Sequence, residues 1–241
     1  MGRRATQPIP SHLRAAFYAA AWSIAATGKV TREDGSIRDV AAECGRCRRI
    51  TRRHGLAVLW ATACALRFSE LARLRVAAVS ESGLSALIER SKGGVDHRVG
   101  VARGLIAETM RWRSECSESF LSPLLLPART GAALSLKAFN RDACGLFRGL
   151  FGIELTSHCL RDTACQQAMA DTGDIRVAQT LLGHRSVRTT EVYVAKQDAR
   201  AYQVPLWVPD EGPSPPAPLP TKRGKRGDCS LRVFDPERGV A

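Results

Sequence analysis

Thr156-Ser157-His158-Cys159-Leu160-Arg161 opens the stretch that decides how this chain reads. Leu182-Gly183-His184-Arg185-Ser186 follows a helical run, and Tyr193 comes nine residues after His184. Ser157 is a candidate N-cap for a helix starting at His158. His158 and Arg161 are three apart and share one face of its first turn, while Leu160, Ala164 and Ala168 mark the buried side. A helix N-terminus attracts anions through its unpaired N–H groups and its dipole. An Arg fork and an imidazole added there make a phosphate clamp. Thr172-Gly173-Asp174 divides this helix from a second one with Ile175, Ala178, Leu181 and Leu182 apolar. Gly183 suits the left-handed residue after that helix, so a turn holds His184. Ser186 can cap a last helix carrying Thr189, Thr190 and Tyr193. Taken singly, His158 and Arg161 read as readily as surface residues, and Tyr193 as a half-buried aromatic.

Composition narrows the partners. In 241 residues, Lys and Arg outnumber Asp and Glu by 36 to 23, a formal net charge of +13. Arg is the commoner cation, and its planar fork suits phosphate. A polyanion, nucleic acid first, is the expected partner; a basic surface without a partner is the plainer alternative. The chain has eight cysteines. Cys64, Cys144 and Cys165 lie among apolar residues and read as small core side chains. Cys44-Gly45-Arg46-Cys47 has metal-ligand spacing, but no second pair follows at finger-like spacing. No metal is therefore expected, and reduced thiols fit a cytoplasmic protein. No apolar run approaches the roughly 20 residues of a membrane span. The basic start and the Ala-rich run to Ala26 faintly resemble a signal peptide, but an amphipathic helix is the better reading.

Helical spacing of Leu13, Phe17, Ala20, Ala21 and Ile24, with Ser11 as cap, predicts a first helix ending at Gly28. The polar, Gly-punctuated segment to Arg53 reads as a connector, with a short helix at Ile37 to Glu43. Leu56 to Ala61 predicts a buried helix over 55–65, and Ser69 can cap another with Leu71 and Leu74 inward. Arg67 stands at their junction, either on the surface or held inward by a use for its charge. Leu84 to Glu89 and Arg98 to Ala102 have strand character, and Gly93-Gly94 between them suits a hairpin. Helices are expected from Leu105 to Ser114 and from Ser135 to Leu150, the latter with Leu136, Phe139, Ala143, Leu146 and Phe147 inward. Beyond Tyr202, the seven prolines from Pro205 to Pro220 and the run Thr221-Lys222-Arg223-Gly224-Lys225-Arg226 predict a disordered basic tail.

Together, His158-Cys-Leu-Arg161, Leu182-Gly-His184, Thr189-Thr190 and Tyr193 resemble the tyrosine recombinase (phage integrase) family. That family also carries an Arg in a Leu-Arg-x-Ser-Glu-Leu box, matched by Leu66-Arg67-Phe68-Ser69-Glu70-Leu71, and a Lys on a β-hairpin, matched by Lys92. Ala65 stands where the family usually has Gly. The resemblance covers about residues 54 to 200. It implies an α+β, mostly helical fold, the catalytic domain of DNA breaking-rejoining enzymes with a small antiparallel hairpin. The expected layout is a short N-terminal helix and polar connector over 1–53, a catalytic domain over 54–204, and a Pro-rich basic tail over 205–241. Residues 1–53 are too few for a complete core-binding domain.

The resemblance further implies a site-specific recombinase that cuts and rejoins double-stranded DNA through a 3′-phosphotyrosine. Tyr193 would be the nucleophile. Arg67 and Arg161 would hold the non-bridging oxygens, Lys92 would protonate the leaving 5′-oxygen, His158 would take part in proton transfer, and His184 would hydrogen-bond the phosphate. Glu70 would orient the site. No metal or nucleotide cofactor is implied. Self-association as dimer or tetramer on DNA is, with accessory DNA-bending proteins as further partners. The alternatives are a non-catalytic or truncated integrase-like DNA-binding protein and type IB topoisomerase-like strand relaxation.

Overall fold

Helices dominate the computed structural model, which describes residues 7–31, 36–43, 47–89, 96–116 and 122–182. Lys92, the Gly93-Gly94 turn, Gly183, His184, Ser186, Tyr193, Cys44 and the 205–241 tail lie outside the described residues.

Helix α1 spans Ser11–Thr27 and ends at Gly28, whose φ of 75° is the left-handed turn that favours glycine. Pro10 is its N-cap, so Ser11 is the first helical residue and not the cap. Phe17 through Ala25 are all buried. The helix is therefore covered on all sides there, and the expectation of a simple amphipathic helix is corrected. Strands β1 (Lys29–Thr31) and β2 (Ile37–Asp39) form an antiparallel pair with Val30 opposite Arg38. A single turn, α2, follows at Val40–Glu43. The expected short helix thus begins three residues late, because Ile37 to Asp39 satisfy their backbone in the strand pair.

Helix α3 runs Arg48–Ala63, so the boundary expected at 53/54 falls inside a helix. Its first turns went unread because their buried residues are polar: Thr51, Arg52, Arg53 and His54. Arg52 is kept inside by partners. Its Nη2 lies 3.0 Å from Glu108, its Nη1 bonds Glu115, and its Nε donates to the Ala25 carbonyl at 2.9 Å. Arg53 donates to the Pro127 carbonyl at 2.8 Å. Such a charged cluster carries no hydrophobic period.

Helix α4 (Phe68–Arg73) leads through a 3-10 turn to a three-stranded antiparallel sheet, β3 (Val79–Ser80), β4 (Ser85–Ile88) and β5 (His97–Gly100), in that order. Ala86 pairs with both Val79 and Val99. The two-residue β3 is too short for alternation to reveal. Helix α5 (Arg103–Ser114) packs on α3, with Trp60 Nε1 donating to Thr109 Oγ1 at 2.8 Å. The next expected helix is a composite: α6 (Leu136–Ala138), a π turn (Phe139–Ala143) and α7 (Cys144–Phe151). Ser135 caps it, accepting from the Ala138 N–H. Phe139, Ala143 and Phe147 face inward as expected, whereas Leu136 is 47% exposed because it lies before the π turn in the first turn of the composite. Helices α8 (Ser157–Thr172) and α9 (Ile175–Leu182) close the described chain. One core joins Phe17 and Ile24 of α1, Leu56, Leu59 and Trp60 of α3, Phe147 of α7 and Leu160 of α8. Phe17 stacks against Phe147 with centroids 4.9 Å apart.

Helices α1 and α3 meet backbone to backbone at Gly55. A Cβ there would stand 2.6 Å from the Ala25 nitrogen and 2.7 Å from the Ala21 carbonyl oxygen. Gly55→Val should therefore push α1 off α3 and cost about 3 kcal/mol, the upper end of ordinary overpacking. Urea unfolding, read as a lowered midpoint at unchanged slope, checks this.

Candidate active site

The turn between α3 and α4 brings the site together. Leu66 N–H bonds the Ala61 carbonyl and Ala65 N–H the Thr62 carbonyl, the paired bonds of a Schellman ending. Ala65 takes the left-handed position with φ 47° and is fully buried. Arg67 then caps α4 instead of the expected Ser69, which lies within the helix. Glu70, at the third helical position, accepts the Arg67 N–H at 2.8 Å through one carboxylate oxygen. Its other oxygen accepts from Arg67 Nη1 at 3.0 Å.

Arg161 reaches the same carboxylate from α8, its Nη1 3.6 Å from Glu70 Oε2. Thr156, and not Ser157, is the N-cap of α8, its hydroxyl accepting the Cys159 N–H at 3.4 Å. Two main-chain oxygens complete the hold on Arg161: Nη1 donates to Ala65 and Nη2 to Leu182 at 2.7 Å. The latter bond ties α8 to the end of α9, immediately before the residues that carry Gly183 and His184. The Arg161 side chain is 5% exposed, the Glu70 side chain 4% and the Arg67 side chain 45%. One carboxylate thus lies between two guanidiniums, and the cluster keeps an excess positive charge. Arg67 is its outward member, with Nε and Nη2 bonded to nothing among the described residues. That is the geometry for receiving an anion by charge-assisted hydrogen bonds.

His158 is exposed on the first turn of α8. It shares the helix end with Arg161 but does not share its burial: the imidazole faces out while the guanidinium turns inward. Ser157 N–H donates to Asn140 Oδ1 at 3.0 Å. Arg67, Glu70 and Arg161 are thus gathered at one point. Lys92, His184 and Tyr193 lie outside the described residues. A cavity of about 130 Å³ opens beside Glu70, lined in part by Arg73, Arg75, Leu87 and Glu89. Reading by residue type missed the carbonyls of Ala65 and Leu182 and the carboxamide of Asn140. Main-chain partners leave no residue signature. Asn140 had one weak sign, a polar residue interrupting the apolar spacing of its helix.

A model of the phage integrase family matches residues 37–200. The chain belongs to the phage integrase family. Tyrosine recombinase XerD of Brucella melitensis biotype 1 is 30% identical over 189 residues, covering 76% of this chain and 60% of that relative. Tyrosine recombinase XerC of Xanthomonas axonopodis pv. citri is 32% identical over 131 residues, 53% of this chain and 42% of the relative. Among solved structures, XerH site-specific recombinase bound to palindromic difH substrate, in a post-cleavage complex, matches with a TM-score of 0.55 at 17% identity. The match covers 76% of this chain and 48% of that one. That likeness is one of fold, and it agrees with the mostly helical α+β architecture expected. This integrase-family chain spans 60% or less of the length of these curated relatives. The family match opens at residue 37, ahead of the start expected at 54.

Cysteine chemistry divides by position. Cys47, exposed at the start of α3, has its thiol lowered from the ordinary value by the Arg49 backbone N–H above all. Burial pushes the Cys144 thiol up to about 12 and raises Cys64 still further. Because the thiolate is the nucleophile, iodoacetamide at pH 7.5 should label Cys47 well before Cys64 and Cys144 in the native protein. Peptide mass spectrometry over time checks that order.

Glu70 offsets a buried cation. Glu70→Ala should leave Arg161 without its carboxylate and cost about 3 kcal/mol, while Glu70→Gln, which keeps an acceptor for the Arg67 N–H, should cost less. Chemical denaturation of the two variants side by side checks the order.

Proposed function

We propose that this protein is a tyrosine-type site-specific DNA recombinase, cutting and rejoining double-stranded DNA through a covalent 3′-phosphotyrosine. The observation that carries the reading is the Arg67–Glu70–Arg161 cluster. Two guanidiniums from distant parts of the sequence are brought onto one buried carboxylate, with one of them turned to solvent. Family membership supports the chemistry, since relatives named tyrosine recombinases match through the same region. The net charge of +13 suits a DNA partner.

In this reading Tyr193 attacks the scissile phosphorus and the 5′-oxygen leaves. Arg67 binds a non-bridging oxygen from the solvent side, and Arg161, held by Glu70 and two carbonyls, supplies fixed positive charge beside it. Such preorganised charge favours the transition state more than the ground state because charge builds on the phosphoryl oxygens. Lys92 protonates the leaving 5′-oxygen, His158 takes part in proton transfer with the phenol, and His184 hydrogen-bonds the phosphate. The new phosphotyrosine bond keeps the phosphodiester's energy, so rejoining needs no nucleotide. The protein would act in the cytoplasm and self-associate on DNA, as suits a reaction that exchanges strands between sites. The relative XerH is bound to its difH substrate in a post-cleavage complex, an arrangement this chain would share.

A nicked suicide DNA bearing the ends of a mobile element tests the reading. The wild-type protein should become covalently attached, and Tyr193→Phe should bind the DNA with similar affinity and never attach. Attachment by the Tyr193→Phe protein removes Tyr193 as nucleophile. Salt-dependent binding without attachment by the wild type favours a non-catalytic DNA-binding protein.

A further inference from the structure

His158 is an exposed side chain on the first turn of α8, so its position depends on how firmly that turn is held. The hold comes from another element. Asn140 in the π turn and Arg148 in α7 both reach the segment from Leu155 to Ser157, with Cys144 between them. Asn140 Oδ1 accepts the Ser157 N–H at 3.0 Å. The Cys144 thiol donates to Asn140 Oδ1 from 3.7 Å. Arg148 Nη1 donates to the Leu155 carbonyl at 2.9 Å. With Thr156 Oγ1 accepting from the Cys159 N–H, the backbone is held on both sides of His158 by groups that leave the imidazole untouched.

The π turn is what aims the carboxamide. It adds a residue to the helix, and each residue of an α-helix advances about 100°. With α7 fixed in the core by Phe147, a continuous α-helix would rotate everything before the turn by that angle. Asn140 would then leave Ser157. Phe139, next to it, packs on Phe68 of α4 with centroids 5.5 Å apart. The same turn therefore touches both helices that contribute to the arginine cluster.

We propose that Asn140 is a positioning residue for His158: its carboxamide, presented by the π turn, anchors the Ser157 backbone and so sets where the imidazole stands at the scissile phosphate. This rests on the strand-cleavage reading above. The test measures DNA affinity and the single-turnover rate of covalent attachment to the suicide DNA for the full-length wild type, Asn140→Ala and Asn140→Asp. Amide hydrogen exchange over the first turn of α8 is followed in parallel. Asn140→Ala should attach about tenfold more slowly, in line with the sensitivity of catalysis to small misplacements, with DNA affinity within about twofold. Asn140→Asp keeps the acceptor oxygen and should recover most of the rate. Attachment by Asn140→Ala at the wild-type rate overturns the proposal, as does an Asn140→Asp rate no better than that of Asn140→Ala. If the wild type itself forms no covalent product, the strand-cleavage reading falls and the exchange data decide the anchor. Faster exchange at the start of α8 in Asn140→Ala, restored in Asn140→Asp, supports it; unchanged exchange overturns it.

Discussion

A single buried carboxylate, Glu70, holds the functional end of this molecule together. It caps α4 through the Arg67 N–H, pairs with the Arg67 guanidinium, and faces Arg161 from α8 at 3.6 Å. Two guanidiniums this close would repel each other in a poorly solvated site, and burying Arg161 alone would carry a large desolvation cost. The carboxylate offsets both. Its position at the third residue of α4 also complements the helix dipole. One side chain thereby settles a helix start, a charge balance and the relative placement of segments 91 residues apart in sequence.

The cluster needs a rigid frame, and α1 with α3 provides part of it. Their backbones meet at Gly55, fixed on one flank by the Arg52 network to Ala25, Glu108 and Glu115. At the other end of α1, Ile9 N–H bonds Thr163 of α8 at 2.9 Å, and Arg14 reaches Gln166 and Gln167. Helix α8 is thus braced from α1, and Arg161 from the α3–α4 turn. Segments that read in sequence as an N-terminal helix and a connector contribute to the same core as the cluster.

What sequence made legible follows from the kind of force involved. Apolar burial at regular spacing exposed most helices, down to the inward Phe139, Ala143 and Phe147. Periodicity failed where burial was achieved by ion pairing, as at Thr51 to His54, and where pairing was too brief, as in β3. Capping residues slipped by one or two positions at Ser11, Ser69 and Ser157: Pro10 and Arg67 stand at the cap with no side chain accepting a helix N–H, and at α8 the neighbouring Thr156 hydroxyl takes the orphan N–H. At the site, residue type and order singled out Arg67, Glu70 and Arg161, which the fold does bring together. The carbonyls that hold Arg161 were invisible, since any residue carries one.

Ala65 shows how such a carbonyl can still leave a mark. A left-handed conformation costs a residue with a Cβ roughly 1–2 kcal/mol, and a glycine there would avoid it. The strained turn nonetheless closes with both Schellman bonds and directs its oxygen at the Arg161 guanidinium. A hydrogen bond to a charged group contributes about 1.5–3 kcal/mol, enough to offset that strain. It also acts where a misplaced Arg161 would leave a buried charge beside Glu70 without its partner. The fully buried methyl adds packing that glycine would lack. The alanine is tolerable here because the arginine holds the turn as firmly as the turn holds the arginine.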